Sequence, residues 1–338
     1  MLVTLRVAAA ALCAALFVAA PAAGQGEEPV LTVYTYSGLP SEYGPGGTIK
    51  ERFEAECGCT LEWVTSDDAG TLLSRLKLEG DSTRADVVLG LDTNLIVDAK
   101  ATGLFQPHGV DAAGLDLPID WTDDTFLPFD WGWFAFVYDE KRLPEPPESL
   151  KALVEMEEGP SIVIQDPRTS TPGLGLMVWM RGIYGDEAPE AWRKLAPKII
   201  TVTQGWTEAY GMFVQGEADM VLSYTTSPAY HIAVEDNHDV KAAIFPEGHY
   251  LQIEVAGITR TTDQLELAKS FMEFMVSEPF QSAIPEGNWM YPASLPQEGL
   301  PAAFEVLPRP EKSLLVAPEE VAKNRRAWVD EWLAAMSR

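Results

Sequence analysis

The chain has 338 residues and carries 24 Lys and Arg against 51 Asp and Glu, which gives a formal net charge of −27 at pH 7. Such an acidic surface repels nucleic acid and anionic membranes, so we expect neither as a partner, whereas a cationic small molecule is tolerated or attracted. The length exceeds what one hydrophobic core normally supports, and it therefore predicts two lobes.

The N-terminal segment has the features of an export signal. One positive charge, Arg6, precedes an apolar stretch that is too short to span a bilayer comfortably, and small residues follow near Ala22 and Gly24. The residue before Cys13 is not small, which argues against a lipoprotein site. We therefore predict a cleaved signal peptide over residues 1–24 and an exported, soluble protein; the alternative is an uncleaved membrane anchor.

Two cysteines remain beyond that signal, Cys57 and Cys59. An oxidising compartment permits a disulfide between them. A Cys-x-Cys ring is small and strained, however, so the sequence leaves both a disulfide and two free thiols open. The histidines show none of the clustering that a zinc site needs, and we expect no metal and no cofactor. These histidines are His108, His231, His238 and His249.

The segment that follows the signal alternates between strand and helix patterns. The apolar runs "PVLTVYTY", "TLEWVTS" and "ADVVLGL" predict buried strands. Between them, "GTIKERFEAECG" predicts an amphipathic helix that ends at Gly58, and "TLLSRLKLEG" predicts a short helix with Leu72, Leu73 and Leu76 on one face. This order predicts an open parallel α/β sheet, with ligands beyond the carboxyl ends of its strands.

The middle of the chain predicts a second α/β unit. The long apolar strand "TFLPFDWGWFAFVYDEKR" leads into it and is suited to cross between the lobes. The buried strands "PSIVIQD", "IITVT" and "ADMVLSY" then alternate with helices, and "HYLQIEVAGIT" follows as a return strand. We expect the C-terminal helix "PEEVAKNRRAWVDEWLAAM" to pack back on the first lobe.

Two turns of the second unit share a pattern of hydroxyl side chains followed by proline. In "QDPRTSTPGLG" and "SYTTSPAYH", Thr171 and Ser227 are placed as helix N-caps, each directly before a proline. A helix N-terminus presents unpaired N–H groups, so both turns predict an uncharged donor site for a phosphate or another oxygen-rich group. The alternative is two capped helices without a ligand. The hydroxyl-bearing residues are Ser170, Thr171, Thr225, Thr226 and Ser227.

Aromatic side chains supply a second candidate feature. Most of them are expected in the core, but Trp206 and Trp289 each follow a Gly or Asn at a turn, where burial is less automatic. An aromatic face attracts a cation by about 0.5–2 kcal/mol. Asp68, in a loop after the second strand, either adds a counter-charge or is a solvated cap. Together these residues predict a ligand with a phosphate or hydroxyl at one end and a flat cation at the other.

Several stretches resemble the periplasmic thiamine-binding proteins of bacterial ABC importers, and the similarity covers essentially the whole chain after the signal. They include "DTFLPFDWGWFAFVYD", "QDPRTSTPGLGL", "VLSYTTSPAYH" and "IPEGNWMYP". The resemblance implies the type II periplasmic binding-protein fold, an α/β fold with two lobes, two crossing strands and a ligand cleft. Lobe 1 is expected at residues 27–127 and 258–338, lobe 2 at 128–257, and the crossing segments near 128–138 and 248–258.

The same resemblance implies the function. It implies capture of thiamine, thiamine monophosphate or thiamine diphosphate in the periplasm and delivery to a membrane permease with a cytoplasmic ATPase; we expect a monomer. By this likeness Asp68 and Ala69 lie at the aminopyrimidine and thiazolium rings, and Trp289 stacks on the flat cation. The remaining implied contacts, along the cleft and at the hydroxyethyl or phosphate end, are Tyr36, Ser170, Thr171, Trp206, Tyr224, Thr225, Thr226, Ser227 and Pro228.

Two positions depart from the pattern of that family. Ala69 stands where a glycine is expected and Tyr43 where a tryptophan is expected, which leaves the fine ligand preference open.

Two other functions compete with the one that the resemblance implies. A ferric-iron binding protein of the same fold typically uses two adjacent tyrosines, and the chain has no Tyr-Tyr pair. A thiaminase-like enzyme needs a cysteine nucleophile with an acidic base. Neither Cys57 nor Cys59 has an obvious base, so we expect no enzyme.

Overall fold

The computed structural model describes residues 28–337, and the predicted signal peptide lies outside them. Within these residues the β-strands are β1 (Val30–Tyr36), β2 (Thr60–Ser66), β3 (Val87–Asp92), β4 (Phe105–Gln106), β5 (Leu127–Asp139), β6 (Ile162–Gln165), β7 (Ile199–Thr203), β8 (Met220–Tyr224), β9 (Val240–Ala242), β10 (His249–Thr259), β11 (Tyr291–Pro292) and β12 (Ser313–Leu314). The α-helices of the same residues are α1 (Gly46–Cys57), α2 (Ala69–Glu79), α3 (Ile96–Lys100), α4 (Leu150–Glu155), α5 (Thr171–Tyr184), α6 (Ala188–Leu195), α7 (Trp206–Val214), α8 (Pro228–Glu235), α9 (Leu265–Met275), α10 (Glu278–Gln281), α11 (Ile284–Gly287), α12 (Ala302–Glu305) and α13 (Pro318–Met336). In this part of the chain no helix is both long enough and apolar enough to cross a membrane.

The main sheet has the strand order β2-β1-β3-β10-β5-β8-β6-β7. At one end β2 and β3 pair with β1 in parallel, and at the other end β7 and β8 pair with β6 in parallel. Parallel strands need crossover connections, which here contain helices, so each end of the sheet carries its own helices. The molecule therefore has two α/β lobes, as predicted.

Strand β5 joins the two lobes. The first half of β5 pairs with β10 and its second half pairs with β8, in both cases antiparallel. Strand β10 lies beside β5 and pairs on its other side with β3. The long apolar strand thus crosses between the lobes as expected, whereas the residue limits given above for the two lobes stay a prediction.

Local sequence signals set the helix boundaries of lobe 1. Helix α1 ends before Gly58, whose φ of 60° lies in the left-handed region that favours glycine. Helix α2 begins after Asp68, which forms a capping box with Thr71. The three leucines predicted for the inner face of this helix are buried.

A disulfide bonds Cys57, the last residue of α1, to Cys59, which lies just before β2. Cys59 is buried among the apolar side chains that α1 and α9 contribute to lobe 1. The structure thus selects the disulfide from the two possibilities that the sequence left open. The bond fixes the connection between α1 and the edge strand β2.

The C-terminal helix α13 packs on lobe 1, as expected, and it also packs on lobe 2. Arg325 Nη1 lies 3.2 Å from Asp98 Oδ2 of α3, in lobe 1. Glu331 forms an ion pair with Arg181 of α5, in lobe 2. The guanidinium of Arg181 also lies 5.4 Å from the ring centroid of Trp328. With 19 residues, the helix is long enough to reach both lobes.

Candidate ligand-binding site

A cavity of about 440 Å³ lies between the two lobes. Tyr36 and Tyr224 are the last residues of β1 and β8, so the cavity lies beyond the carboxyl ends of parallel strands from each lobe. Among the described residues, its lining comprises Tyr36, Gly38, Ser41, Tyr43, Gly44, Asp67, Asp68, Thr171, Pro172, Trp206, Thr207, Tyr210, Gly211, Val214, Gln215, Tyr224, Ser227, Tyr230, Glu235, Glu254, Gly287, Asn288, Trp289 and Met290.

The structure brings many of the predicted site residues together in this lining. Those that line the cavity are Tyr36, Asp68, Thr171, Trp206, Tyr224, Ser227 and Trp289. The other predicted residues are buried beside the cavity and do not line it: Ala69, Ser170, Thr225, Thr226 and Pro228.

Asp68 receives hydrogen bonds from the N-terminal ends of three helices. Its Oδ1 accepts from the N–H of Ala69 in α2 at 2.7 Å and from the N–H of Thr171 in α5 at 3.2 Å. Its Oδ2 accepts from the hydroxyl of Ser170 at 2.7 Å. The N–H of Trp206 in α7 is a further donor. Burial raises the pKa of Asp68, and these donors oppose that effect.

This arrangement corrects the prediction for the turn "RTSTPG". Ser170, and not Thr171, occupies the N-cap position of α5, and Thr171 is the first helical residue. The hydroxyl of Thr171 donates to Asp92 Oδ2 at 2.9 Å. The donors of this turn therefore serve two carboxyl groups of lobe 1. They do not form an uncharged site for a ligand, because Asp68 already occupies the end of α5.

The turn "SYTTSP" places two hydroxyl-bearing side chains in the lining of the cavity, Tyr224 and Ser227. Ser227 has the N-cap position of α8 as predicted, but its side chain makes no capping bond. Its Oγ accepts from the N–H of Tyr224 at 3.2 Å and lies 2.7 Å from Ser223 Oγ. Thr225 and Thr226 are buried and do not line the cavity. Of the hydroxyl-bearing residues of this turn, only Tyr224 and Ser227 thus line the cavity.

Aromatic side chains form two walls of the cavity. Trp289 and Tyr230 meet edge to face, with ring centroids 5.5 Å apart and an interplanar angle of 84°. Trp206 and Tyr210 stack at 4.7 Å, and the indole N–H of Trp206 donates to Ser223 Oγ at 2.7 Å. Trp289 has a φ of 55°, a conformation that is strained for a bulky residue and that recurs at functional sites. Sequence reasoning missed Tyr230, although it lies three residues after Ser227 on one helical turn.

A row of acidic side chains lies on three neighbouring strands beside the cavity, and sequence reasoning missed it. Glu254 on β10 is paired in register with Asp92 on β3 and with Asp130 on β5. All three are buried, and Glu254 lines the cavity. The hydroxyl of Tyr36 donates to Glu254 Oε2 at 3.1 Å, and the amide of Asn288 donates to Asp130 Oδ2. The signal in the sequence is a charged residue inside a long, mostly apolar strand for Asp130 and Glu254, and at the end of an apolar strand for Asp92.

Burial is the main cause of the altered acidity in this row. It raises the pKa of Asp92 to about 6 and that of Asp130 to about 7. Burial, together with the charge of Asp130, also raises the pKa of Glu254 well above its ordinary value. Adjacent carboxyl groups in a medium of low dielectric constant resist simultaneous ionisation.

The described lining contains acidic side chains and no Lys, Arg or His. Asp68 and Glu254 are buried, whereas Asp67 and Glu235 are exposed at the edge of the cavity. Fixed negative charge in a cleft raises the local concentration of cations. The cavity is therefore suited to a cation, and Asp68 is one source of the negative charge, which is the counter-charge alternative given for it above.

Comparisons with known proteins identify the family of this chain. The chain matches the family described as bacterial extracellular solute-binding protein over residues 47–282. It is 57% identical over 308 residues to the thiamine-binding periplasmic protein of Brucella melitensis, covering 91% of this chain and 92% of that protein. It is 55% identical over 311 residues to the protein of the same name from Escherichia coli, covering 92% and 94%. A solved structure of a periplasmic thiamin binding protein superposes with a TM-score of 0.91 at 55% identity, covering 93% of this chain and 98% of that one. The chain therefore belongs to the bacterial extracellular solute-binding protein family.

Proposed function

We propose that this protein binds thiamine in the cavity between its lobes and delivers it to the permease of an ABC importer. The observation that carries the proposal is one cavity that combines aromatic side chains and buried carboxyl groups with no basic side chain in its described lining. The relatives described above are named for thiamine binding, and this combination supports the same ligand here.

The charge distribution of thiamine fits that of the cavity. Thiamine joins a thiazolium cation to an aminopyrimidine ring and ends in a hydroxyethyl group. Trp289 and Tyr230 offer aromatic surface, and an aromatic face attracts a cation by about 0.5–2 kcal/mol. Asp68 and Glu254 add negative potential in a medium that screens it poorly. An uncharged ligand of the same shape gains neither the attraction of a cation to the aromatic faces nor its attraction to the two carboxyl groups.

We also propose that thiamine monophosphate and diphosphate bind, with the phosphate at the α8 end of the cavity. Ser227 lines the cavity there, at a helix N-terminus that favours an anion. The N-terminus of α5 offers no second such position, because Asp68 accepts its donors. The expected anion contact is therefore the hydroxyl of Ser227, because Pro228 has no N–H and the N–H of Ala229 already donates to Thr226 O.

We propose binding without turnover in the periplasm, by a monomer whose partner is a membrane permease with a cytoplasmic ATPase. Cys57 and Cys59 are joined in a disulfide, and neither lines the cavity. No described thiol is thus placed to attack a ligand in the cavity. This supports a carrier over a thiaminase-like enzyme, which uses a cysteine nucleophile.

Titration calorimetry tests the proposal on protein that has been unfolded and refolded to remove bound vitamin. We expect one thiamine per chain, with binding also of both phosphates and none of a small aliphatic quaternary ammonium ion at the same concentration. Absence of thiamine binding, or equal binding of the aliphatic cation, overturns the proposal. Incubation of thiamine with the protein and an added nucleophile checks turnover, and release of free thiazole contradicts a carrier.

A further inference from the structure

The acidic row, which consists of Asp92, Glu254 and Asp130, is larger than the capture of one cation requires. The three carboxyl groups lie side by side, because paired residues of adjacent strands project to the same face of a sheet. Asp92 and Asp130 are fully buried, and Glu254 is 6% exposed. Only Glu254 of the three reaches the cavity lining. The row therefore connects the cavity to two carboxyl groups that a ligand does not touch.

The surroundings of the row do not neutralise three negative charges. Among residues 28–337, no Lys, Arg or His forms an ion pair with any member of the row, and the one basic group that acts on it is Arg325, near Asp92. The groups that face Glu254 are otherwise acidic or neutral. They are Tyr36 from β1, Asp92 from β3, Asp130 from β5 and Asp68 from the N-terminal end of α2, with Tyr224 from β8 nearby.

One oxygen of the row bears the mark of a neutral carboxyl group. Asp130 Oδ1 is buried and has no hydrogen-bond partner among the described residues, while Asp130 Oδ2 accepts from Asn288. A bare oxygen is far more costly in a buried carboxylate than in a carboxylic acid. Two residues before Glu254 on the same strand, the amide of Gln252 is also buried with neither of its atoms partnered by a described residue. Polar atoms around the row thus have capacity to accept or donate further hydrogen bonds.

We propose that the pair formed by Glu254 and Asp130 holds a proton in the ligand-free protein and releases it to solvent when a cationic ligand enters the cavity. The proposal rests on the proposed function, since it takes the ligand to be a cation. The protein with one bound proton plus the cation gives the complex plus one free proton, so charge and atoms balance. The incoming positive charge replaces the proton as the counter-charge of the row.

The sign of the pH dependence follows from this exchange. Proton release on binding means that the affinity for thiamine increases with pH while the pair is protonated in the free protein, and levels off once it is ionised. The increase is up to about tenfold per pH unit for one proton. Burial raises the pKa of Asp130 to about 7, so we expect the increase between weakly acidic and neutral pH.

Calorimetry of thiamine binding at pH 6.5 in buffers of different ionisation enthalpy measures the number of protons released. We expect a release of roughly half to one proton per thiamine, from the titration of one coupled pair. Glu254→Gln is expected to abolish the release and to flatten the pH dependence of the affinity. Asp67→Asn is the matched control: it removes an exposed acidic charge of the lining, so the affinity decreases while the release persists.

Asp130→Asn is the second variant, for the case that Glu254→Gln does not fold, and it has the same expected outcome. Infrared spectroscopy adds a second readout: the ligand-free protein is expected to show a protonated-carboxyl band, and this band is expected to disappear on addition of thiamine.

Thiamine binding with no buffer dependence, or with proton uptake, overturns the inference and leaves the proposed function intact. Release that persists in both variants also overturns it. Absence of thiamine binding in every buffer overturns the proposed function itself, and the inference with it.

Discussion

The hydrogen bond from Ser170 to Asp68 joins the lobes, and Ser170 does not line the cavity, so its removal tests how the cleft works. Ser170 Oγ lies 2.7 Å from Asp68 Oδ2, and both atoms are buried. Asp68 belongs to the end of α2 in lobe 1, and Ser170 precedes α5 in lobe 2. We expect Ser170→Ala to destabilise the arrangement of the lobes that binds ligand while every side chain of the lining stays in place.

The magnitude follows from the chemistry of the bond. A hydrogen bond to a charged group contributes about 1.5–3 kcal/mol. The backbone N–H donors of Ala69, Thr171 and Trp206 to Asp68 remain in the variant, so the loss is confined to one bond. About 1.4 kcal/mol corresponds to a factor of ten in a binding constant. If the bond stabilises only the arrangement that binds ligand, the affinity for thiamine falls about 10- to 150-fold.

Calorimetry with thiamine measures this change, and Ser161→Ala is the matched control. Ser161 Oγ donates to Asp219 Oδ2, also at 2.7 Å, but both residues belong to lobe 2. The control therefore loses a serine–aspartate bond of the same length, together with the bond that Ser161 Oγ accepts from the N–H of Asp219. It is expected to lower thermal stability without lowering the affinity. If Ser170→Ala binds thiamine as tightly as the unmodified protein, or if both variants lose affinity equally, the reasoning that this bond holds the lobes together for binding is refuted.

Three further changes probe the walls, the anion end and the core. Trp289→Ala is expected to weaken thiamine binding by about 1–3 kcal/mol in calorimetry, through lost aromatic contact and cation attraction; unchanged affinity contradicts that role. Ser227→Ala is expected to weaken binding of the two phosphates more than that of thiamine, and equal losses remove its phosphate role. Gly175→Ala places a Cβ 2.0 Å from Phe134 and is expected to lower the free energy of unfolding by about 1–3 kcal/mol or more in urea titration, whereas Gly182→Ala, in open space on the same helix, is expected to raise it slightly.

The sequence was sufficient to predict the lobes and much of the aromatic part of the site. Continuous apolar strands separated by helices predict parallel sheets, and such sheets place ligands at the carboxyl ends of their strands. Trp206 and Trp289 were distinguished from core aromatics by the turns that precede them, and the structure places both in the cavity lining. These features depend on local sequence, which is why they were predictable.

The acidic part of the site was not predictable from local sequence. Asp130 and Glu254 lie within apolar strands and Asp92 ends one. The three come together only through the register of strands that are far apart along the chain. The same holds for Asp68, whose neighbouring sequence indicates a cap of α2 but not that it also accepts hydrogen bonds from the start of α5. In both cases the pairing of distant segments determines the charge of the cavity.

Helix α13 gives the protein a mechanical constraint at its C-terminal end. Through Arg325 it is tied to α3, and through Glu331 to α5, so it spans the same two bodies that must separate when the cleft opens. A separation of the lobes must either rotate about this helix or break one of the two ion pairs. The C-terminal helix thus limits the hinge motions that are open to the two lobes. A fusion or truncation there is expected to change the rate at which the cleft opens, even though α13 does not line the cavity.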